Sequence, residues 1–186
     1  MQVLTQDEFN VRKEEILMKI KDGAVFIHPT DTIYGIGCNA NHQSAVKRVR
    51  EIKARNERPF SVIAPSKEWI NENCHNGEKW IEKLPGPYTL ILKLKNKECI
   101  VDEVNMGMDT LGVRIPDHWF SNVASESKTP IITTSANITG EDFMTTLDNL
   151  DPEIESKIDF IIYEGEKHGK PSKIIDLTDG EKVIER

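Results

Sequence analysis

The densest group of chemically capable side chains lies in residues 29–40, just after a predicted strand over residues 24–28. Thr30, Thr32 and Tyr34 contribute hydroxyl groups, and glycines follow directly. A loop of this composition can present hydroxyl and backbone donors to a polar ligand. A Ser/Thr turn whose glycines only supply positive φ angles explains the same residues, and for the loop taken alone it is the better interpretation.

Three cations follow at the C-terminal end of a predicted basic helix over residues 43–54. Lys53, Arg55 and Arg58 could stabilise the negative charge that builds on phosphate oxygens during nucleotidyl transfer. The alternative is that these cations are exposed and interact favourably with the helix dipole. Residues two apart on a helix point about 200° from each other, so Lys53 and Arg55 can serve one ligand only if the helix ends near Ala54.

A second polar group, in residues 134–137, follows a predicted strand over residues 131–134. Ser135 and Asn137 would lie at a sheet edge, where ligands often bind, although an ordinary helix N-cap explains them as well. A serine hydrolase is disfavoured because the Gly-x-Ser-x-Gly pattern is absent. Residues 165–170 do not form a phosphate loop, since Pro171 stands where Ser or Thr should bind magnesium.

Cysteines and histidines indicate no further chemical centre. Cys38, Cys74 and Cys99 form no Cys-x-x-Cys pair, which favours reduced, apolar thiols over a disulfide framework. We predict that Cys38 is not a nucleophile. The scattered histidines lack the spacing of a zinc site, so we predict no metal site in the protein.

The elements that must position these groups predict one α/β domain over residues 1–186. Strands mixed with helices, without strict βαβ alternation, predict a sheet of mixed direction. The predicted strands cover residues 24–28, 60–64, 88–94, 111–115, 131–134, 160–163 and 174–177. The predicted helices run from a capping box at Thr5 to Gly23, and over residues 43–54, 67–73, 78–84, 117–127 and 152–157.

Overall charge and hydropathy narrow the classes of function. A net charge of −7 argues against a protein that coats nucleic acid by bulk electrostatics. The cations cluster in residues 47–58, and a basic pocket on an acidic body suits a small anionic ligand. The sequence contains neither a run long enough for a membrane span nor a signal-peptide pattern, so we predict no membrane partner and a cytoplasmic location.

Six blocks of the sequence, in one order, resemble the Sua5/YrdC/YciO family of threonylcarbamoyl-AMP synthases in its short single-domain form. The blocks are residues 29–35 (PTDTIYG), 52–55 (IKAR), 85–90 (PGPYTL), 112–116 (GVRIP), 134–140 (TSANITG) and 169–172 (GKPS). Each block is a weak signal alone. Their shared order along nearly the whole chain makes the resemblance specific.

The resemblance implies a twisted mixed sheet with flanking helices around a concave, positively charged cavity. It implies that L-threonine, bicarbonate and ATP, expected with Mg²⁺, give threonylcarbamoyl-AMP and pyrophosphate. The product would pass to a threonylcarbamoyl transferase that modifies tRNA. The residue roles that it implies are Lys53 and Arg55 as catalytic residues; Lys53, Arg55, Thr110, Ser135 and Asn137 for ATP; and Thr30, Thr32, Tyr34, Arg114 and Ser172 for threonine.

The sequence departs from the family pattern at two positions near the expected ligands. Asn56 stands where the family usually has Pro, and Lys173 stands where it has Thr, so a cation replaces a hydroxyl. A relative that binds RNA or nucleotide without catalysis is therefore the alternative function. A second alternative is the carbamoyl-transfer domain of hydrogenase maturation proteins, but the acylphosphatase and zinc-finger parts of those proteins do not appear in the sequence.

Overall fold

A mixed sheet forms the centre of the protein in the computed structural model, which describes residues 1–54, 57–75 and 77–184. Its strands are β1 Gln2–Leu4, β2 Phe26–His28, β3 Gly35–Gly37, β4 Ser61–Ile63, β5 Cys74–His75, β6 Tyr88–Leu94, β7 Thr110–Arg114, β8 Ile131–Ser135, β9 Phe160–Ile162, β10 Lys173–Asp176 and β11 Lys182–Ile184. They lie in the order β1-β9-β2-β3-β8-β4-β7-β6-β10-β11, with β5 beside β6. Parallel and antiparallel neighbours both occur, which confirms the predicted mixed direction.

The helices lie where hydrophobic spacing predicts them, with shifted ends, except for one short helix over Asp102–Asn105 that was not predicted. They are α1 Gln6–Val11, α2 Lys13–Lys21, α3 Gln43–Ile52, α4 Lys67–Asn73, α5 Glu78–Ile81, α6 Asp102–Asn105, α7 Ser121–Ser127 and α8 Pro152–Glu155. The capping box at Thr5 is present, but the first predicted helix is two helices that meet at Arg12. The bounds of α4 and β6 agree with the prediction.

Alternating strand residues bury the two faces of the sheet in separate apolar layers. Ile132 packs with α3, α4 and α8 on one face, whereas its neighbour Ile131 packs with α1, α2 and α7 on the other. Further along β8, Thr133 and Ser135 point to the same face as Ile131. On the face that α1, α2 and α7 cover, the apolar residues of β8 are therefore followed by hydroxyl residues.

The prediction of a loop throughout residues 29–40 is wrong at β3, which pairs with β2 and β8. A Cβ on Gly35 or Gly37 would come within 3.0 or 2.9 Å of carbon atoms of the buried His28 ring. The glycines therefore leave room for this ring beside β3 and are not turn residues. Sequence reasoning counted them as breakers of regular structure.

In the described ranges, no helix is both long and apolar enough to cross a membrane. One continuous sheet is compatible with a single domain. The domain bounds of 1–186 stay a prediction.

Candidate active site

Two adjoining cavities open on the face of the sheet that carries Thr133 and Ser135. The smaller has a volume of about 30 Å³ and the larger about 360 Å³. Ser61 and residues 133–135 line both cavities, which therefore share a wall. Arg114 lines the smaller cavity, and Lys53 and Arg58 line the larger. Among the described lining residues there is no carboxylate, so the walls offer an anion hydroxyls, amides and cations.

A directed chain of hydrogen bonds runs through the hydroxyl loop, residues 29–34. The Thr30 hydroxyl donates its single proton to the Ile33 carbonyl at 2.7 Å and accepts the backbone N–H groups of Thr32 and Ile33 at 3.1 and 3.2 Å, which engages both of its lone pairs. The Thr32 hydroxyl lies 2.9 Å from it. The Thr32 hydroxyl accepts a hydrogen bond from Arg114 Nη1 at 3.4 Å. Its other lone pair can accept a hydrogen bond from a ligand donor, such as an amine.

Arg114 lies at the C-terminal end of β7 and is only 5% exposed. Its Nη2 atom lies 2.5 Å from Asp31 Oδ1, and Asp31 Oδ2 accepts the backbone N–H of Asp117 at 3.0 Å. A buried cation is costly unless it is paired, and this carboxylate provides the pairing. Arg114 lines the small cavity whereas Asp31 does not, so the ion pair stands behind the cavity wall.

Lys53 is a buried residue, 1% exposed, which corrects the alternative that it is a surface cation at the end of a helix. Its ammonium nitrogen donates to the Asn137 carbonyl, Asn137 Oδ1 and the Ser135 carbonyl at 2.5 to 2.7 Å. In return, Thr139 donates its hydroxyl proton to the Lys53 carbonyl at 2.7 Å. Lys53 therefore ties the end of α3 to the segment that follows β8.

The predicted helix ending near Ala54 is confirmed. α3 ends at Ile52, Lys53 is its C-cap, and Ala54 adopts a positive φ of 46°, a conformation that interrupts a helix. Arg55, predicted to be catalytic and to bind ATP, lies outside the described residues, as does Asn56. The role of Arg55 stays a prediction.

Ser135 and Asn137 are brought together with Lys53, as their predicted common role requires. The Ser135 hydroxyl donates to Asn137 Oδ1 at 2.6 Å, and the Asn137 amide nitrogen donates to the Glu141 carbonyl at 2.6 Å. Both residues line the larger cavity. Because the side-chain amide is held on both sides, its orientation is fixed by the fold.

The other residues predicted to bind a ligand differ in their position relative to the two cavities. Ser172 lines the small cavity and shares a 2.7 Å hydrogen bond with Thr89. Tyr34 contributes to the same wall, but its hydroxyl donates to the Gly165 carbonyl at 2.6 Å, and burial raises its pKa to about 12. Thr110 begins β7, at the opposite end of the strand from Arg114, and lines neither cavity. Its role in ATP binding stays a prediction.

Sequence reasoning missed four hydroxyl residues of the cavity walls: Ser61, Thr89, Thr133 and Thr139. Ser61 and Thr133 are directly paired across β4 and β8. A usable signal existed, since hydroxyl residues at positions 133 and 135 alternate on a strand whose earlier residues are apolar. That spacing indicates a polar half of one sheet face.

The site geometry can now be compared with known proteins. A family model named Sua5/YciO/YrdC and described as "Telomere recombination" matches residues 18–186. The chain belongs to the Sua5/YciO/YrdC family.

Several curated relatives share most of this chain. A Methanocaldococcus jannaschii protein, provisionally named threonylcarbamoyl-AMP synthase, is 38% identical over 187 residues, which cover 97% of this chain and 87% of the relative. A Pyrococcus abyssi threonylcarbamoyl-AMP synthase is 34% identical and covers 90% of this chain, but the chain spans only 51% of that protein. A Vibrio campbellii protein of the same name is 29% identical, covering 88% and 92% of the two chains.

Solved structures confirm the predicted fold class of a Sua5/YciO/YrdC protein, a twisted mixed sheet with flanking helices. P. abyssi Sua5 complexed with L-threonine superposes with a TM-score of 0.83 at 29% identity, over 95% of this chain and 54% of that one. Escherichia coli YciO gives a TM-score of 0.84 at 22% identity over 100% and 94%, a likeness of fold alone. The positive potential of the cavity stays a prediction.

The Lys173 departure from the Sua5/YciO/YrdC pattern does not reach the cavities. On either side of it, Ser172 lines the smaller cavity and Ile174 the larger, whereas Lys173 lines neither and is exposed. Successive strand residues point to opposite faces, so the Lys173 side chain is directed away from the ligand side of the sheet.

The Cys38 thiol and the ring of His28, which directly precedes the hydroxyl loop, are unsuited to covalent or acid–base catalysis in this family member. Burial raises the pKa of the Cys38 thiol well above its usual range, so little reactive thiolate forms. Burial also lowers the pKa of His28 to about 3. His28 Nδ1 lies 3.1 Å from the Pro29 carbonyl, which can only accept, so the neutral ring carries its proton on Nδ1.

Proposed function

We propose that this protein is an L-threonylcarbamoyladenylate synthase, which forms threonylcarbamoyl-AMP and pyrophosphate from L-threonine, bicarbonate and ATP. The observation that carries the proposal is the buried Arg114 at a hydroxyl-lined cavity that shares a wall with a larger, cation-lined cavity. Support also comes from relatives that bear the synthase name and from a similar structure complexed with L-threonine.

The smaller cavity suits the carboxylate end of threonine. A guanidinium matches a carboxylate by two parallel hydrogen bonds, and Arg114 presents one at the wall. The volume of this cavity, about 30 Å³, is small beside the larger cavity's 360 Å³. The rest of the amino acid must therefore extend along the shared wall toward the larger cavity, where a nucleotide fits.

The reaction joins a reactant in the smaller cavity to a reactant in the larger cavity. The threonine amine attacks the carbon of CO₂ formed from bicarbonate, losing a proton, and a carbamate oxygen then attacks the ATP α-phosphorus as pyrophosphate leaves. The Thr32 lone pair can accept a hydrogen bond from the amine and so orient its nitrogen. Positioning and charge stabilisation provide most of the acceleration for a transfer of this kind.

The larger cavity supplies the groups for ATP. Arg58 lines it as a cation, and Ser135 and Asn137 present polar groups. Lys53 serves in two ways, as positive charge at the wall and as the anchor that fixes residues 135–137. Arg55 and Thr110 belong to the proposed ATP site through the family resemblance.

Mg²⁺ is proposed as the partner of the nucleotide. The described lining of the larger cavity offers neutral hydroxyl and amide oxygens but no carboxylate, which fits an ion held chiefly by phosphates and water. The Asn137 side-chain oxygen already accepts hydrogen bonds from Lys53 and Ser135, so Ser135, whose hydroxyl keeps a lone pair, is the residue that could add a ligand. The ion would neutralise phosphate charge.

The product is proposed to pass to a threonylcarbamoyl transferase acting on tRNA, and the cytoplasm is the proposed compartment. Non-catalytic binding of RNA or nucleotide is the rival function. Mass spectrometry of products after incubation with ATP, Mg²⁺, bicarbonate and threonine separates the two. We expect an adenylate that carries both threonine and the bicarbonate carbon, and nucleotide recovered only as ATP would contradict the proposal.

A further inference from the structure

Asp31 connects the hydroxyl loop to the segment that contains Arg114 and Asp117. Its carboxylate lies in the hydroxyl loop, contacts Arg114 Nη2 at 2.5 Å, and accepts the Asp117 backbone N–H at 3.0 Å through its second oxygen. The two side chains of the ion pair are 6% and 10% exposed, so water screens their attraction little. The Asp117 contact fixes the carboxylate independently of the arginine.

The position of Asp31 relative to the small cavity decides whether its carboxylate takes the place of a substrate carboxylate or holds the Arg114 guanidinium. Thr30, Thr32 and Arg114 line the small cavity, whereas Asp31 does not. The carboxylate therefore does not occupy the place that a substrate carboxylate would take. It holds the guanidinium from behind, while Thr32 meets the other terminal nitrogen at 3.4 Å.

We propose that Asp31 is a positioning residue that aims the Arg114 guanidinium into the small cavity to receive the substrate carboxylate. The inference rests on the proposed function, because that carboxylate is taken to be threonine's. A two-pronged contact needs the planar guanidinium held within about 10–20° of its productive orientation. Two fixed contacts on different nitrogens supply that constraint.

A misplaced Arg114 guanidinium should change the KM for threonine more than kcat. The carboxylate contact is made both in the bound substrate and in the transition state, so weakening it raises KM and leaves kcat nearly unchanged. Asp31→Asn keeps the shape of the side chain but removes its charge. We expect the KM for threonine to rise about tenfold or more, given the sensitivity of rates to misplacement, with the KM for ATP within about twofold of wild type.

Asp159 offers a matched control outside the cavities. Its carboxylate contacts Arg48 Nη1 at 3.1 Å and accepts the Val25 backbone N–H at 2.7 Å, the same kinds of contact that Asp31 makes. Its side chain is 43% exposed against 10% for Asp31, so Asp159→Asn controls for the removal of a carboxylate with these two kinds of partner away from the two cavities. We expect it to leave the KM for threonine unchanged.

A second variant keeps the test decisive if Asp31→Asn folds poorly. Asp31→Glu retains the charge but adds a methylene, which shifts the guanidinium, so we expect a raised KM for threonine with near wild-type thermal stability. In an Arg114→Lys background, Asp31→Asn should add little to the KM, because the group that it aims is gone.

The outcomes separate the inference from the function on which it rests. Wild-type protein that releases no pyrophosphate with all substrates present would overturn both. An active wild type with unchanged or lower threonine KM in folded Asp31→Asn and Asp31→Glu would overturn the positioning role alone. Equal KM increases in Asp31→Asn and Asp159→Asn would also overturn it.

Discussion

Lys53 and Arg114 are both buried cations on cavity walls, but the protein holds them in different ways. Arg114 is paired with a carboxylate that stands outside the cavity, whereas the described contacts of the Lys53 ammonium are neutral oxygens at 2.5 to 2.7 Å. Arginine is suited to planar recognition of a carboxylate, and lysine to a point-like centre for several acceptors. Lys53 therefore assembles the site by joining separate segments, whereas Arg114 has the geometry that our proposal requires for orienting a substrate carboxylate.

Removing Lys53 should give the largest effect. In Lys53→Met the carbonyls of Ser135 and Asn137 lose a buried donor, so we expect the free energy of unfolding to fall by about 3 kcal/mol or more. Turnover should fall by orders of magnitude, because both charge and the ATP-side segment are disturbed. Denaturant unfolding and pyrophosphate release measure the two effects.

Lys47→Met is the matched control for this change, since Lys47 lies on the same helix with its side chain 54% exposed. It should alter neither quantity much. If Lys53→Met had wild-type stability, the buried contacts of Lys53 would contribute nothing to the free energy of unfolding. The contrast drawn between Lys53 and Arg114 would then be wrong.

Arg114→Lys should have the next largest effect and should be selective. An ammonium keeps the charge but cannot reproduce the two-pronged contact, so we expect the KM for threonine to rise about 10- to 100-fold. ATP binding should change little, because the nucleotide is assigned to the other cavity. Titration with each substrate provides the measurement, and equal losses for both substrates would remove the division of roles.

His28 differs from Lys53 and Arg114 because it is a buried basic group that stays uncharged. Its folded-state pKa of about 3 lies below the ordinary value of 6.5, so the unfolded chain takes up a proton first as the pH falls. Stability should therefore decrease from about pH 6.5 downward, at about 1.4 kcal/mol per pH unit until the folded ring titrates. His28→Phe, which cannot take up a proton, should flatten this dependence.

Urea unfolding of both proteins at about pH 7 and about pH 5 tests the histidine prediction. The wild type should lose about 2 kcal/mol more than the variant between these values. Parallel losses in the two proteins would show that His28 does not carry the acid sensitivity.

Lys173→Thr should have the smallest effect, although it restores the residue usual in the family. The side chain is exposed and lines neither cavity, so we expect both KM values and kcat to stay within about twofold of wild type. A large gain in activity would mean that the cation reaches the ligands, against its placement on the far side of β10.

The sequence predicted the mixed sheet and most of its elements, because apolar spacing carries that information. It could not show β3, where glycines form strand only because the His28 ring packs on them. Strands β1, β5 and β11 and helix α6 were also missed. β1 and β11 are short edge strands whose residues are mostly exposed, so they lack an alternating apolar pattern. β5 and α6 contain only two and four residues, too few for a period to show.

Site residues were predictable as types but not as partners. The pairing of Asp31 with Arg114 joins residues 83 positions apart, and the contacts of Lys53 span more than 80. Spacing along the chain suggested an exposed helix end for Lys53, whereas the approach of residues 135–139 buries it. Burial of this kind depends on tertiary structure, which local pattern does not contain.

The most direct test of the account is pyrophosphate release by the wild-type protein with each substrate omitted in turn. Adenylation of a carbamate requires threonine, bicarbonate and ATP together, and the two adjoining cavities are assigned to the joined reactants. We predict release only when all three are present. Release at the same rate without threonine would contradict the account.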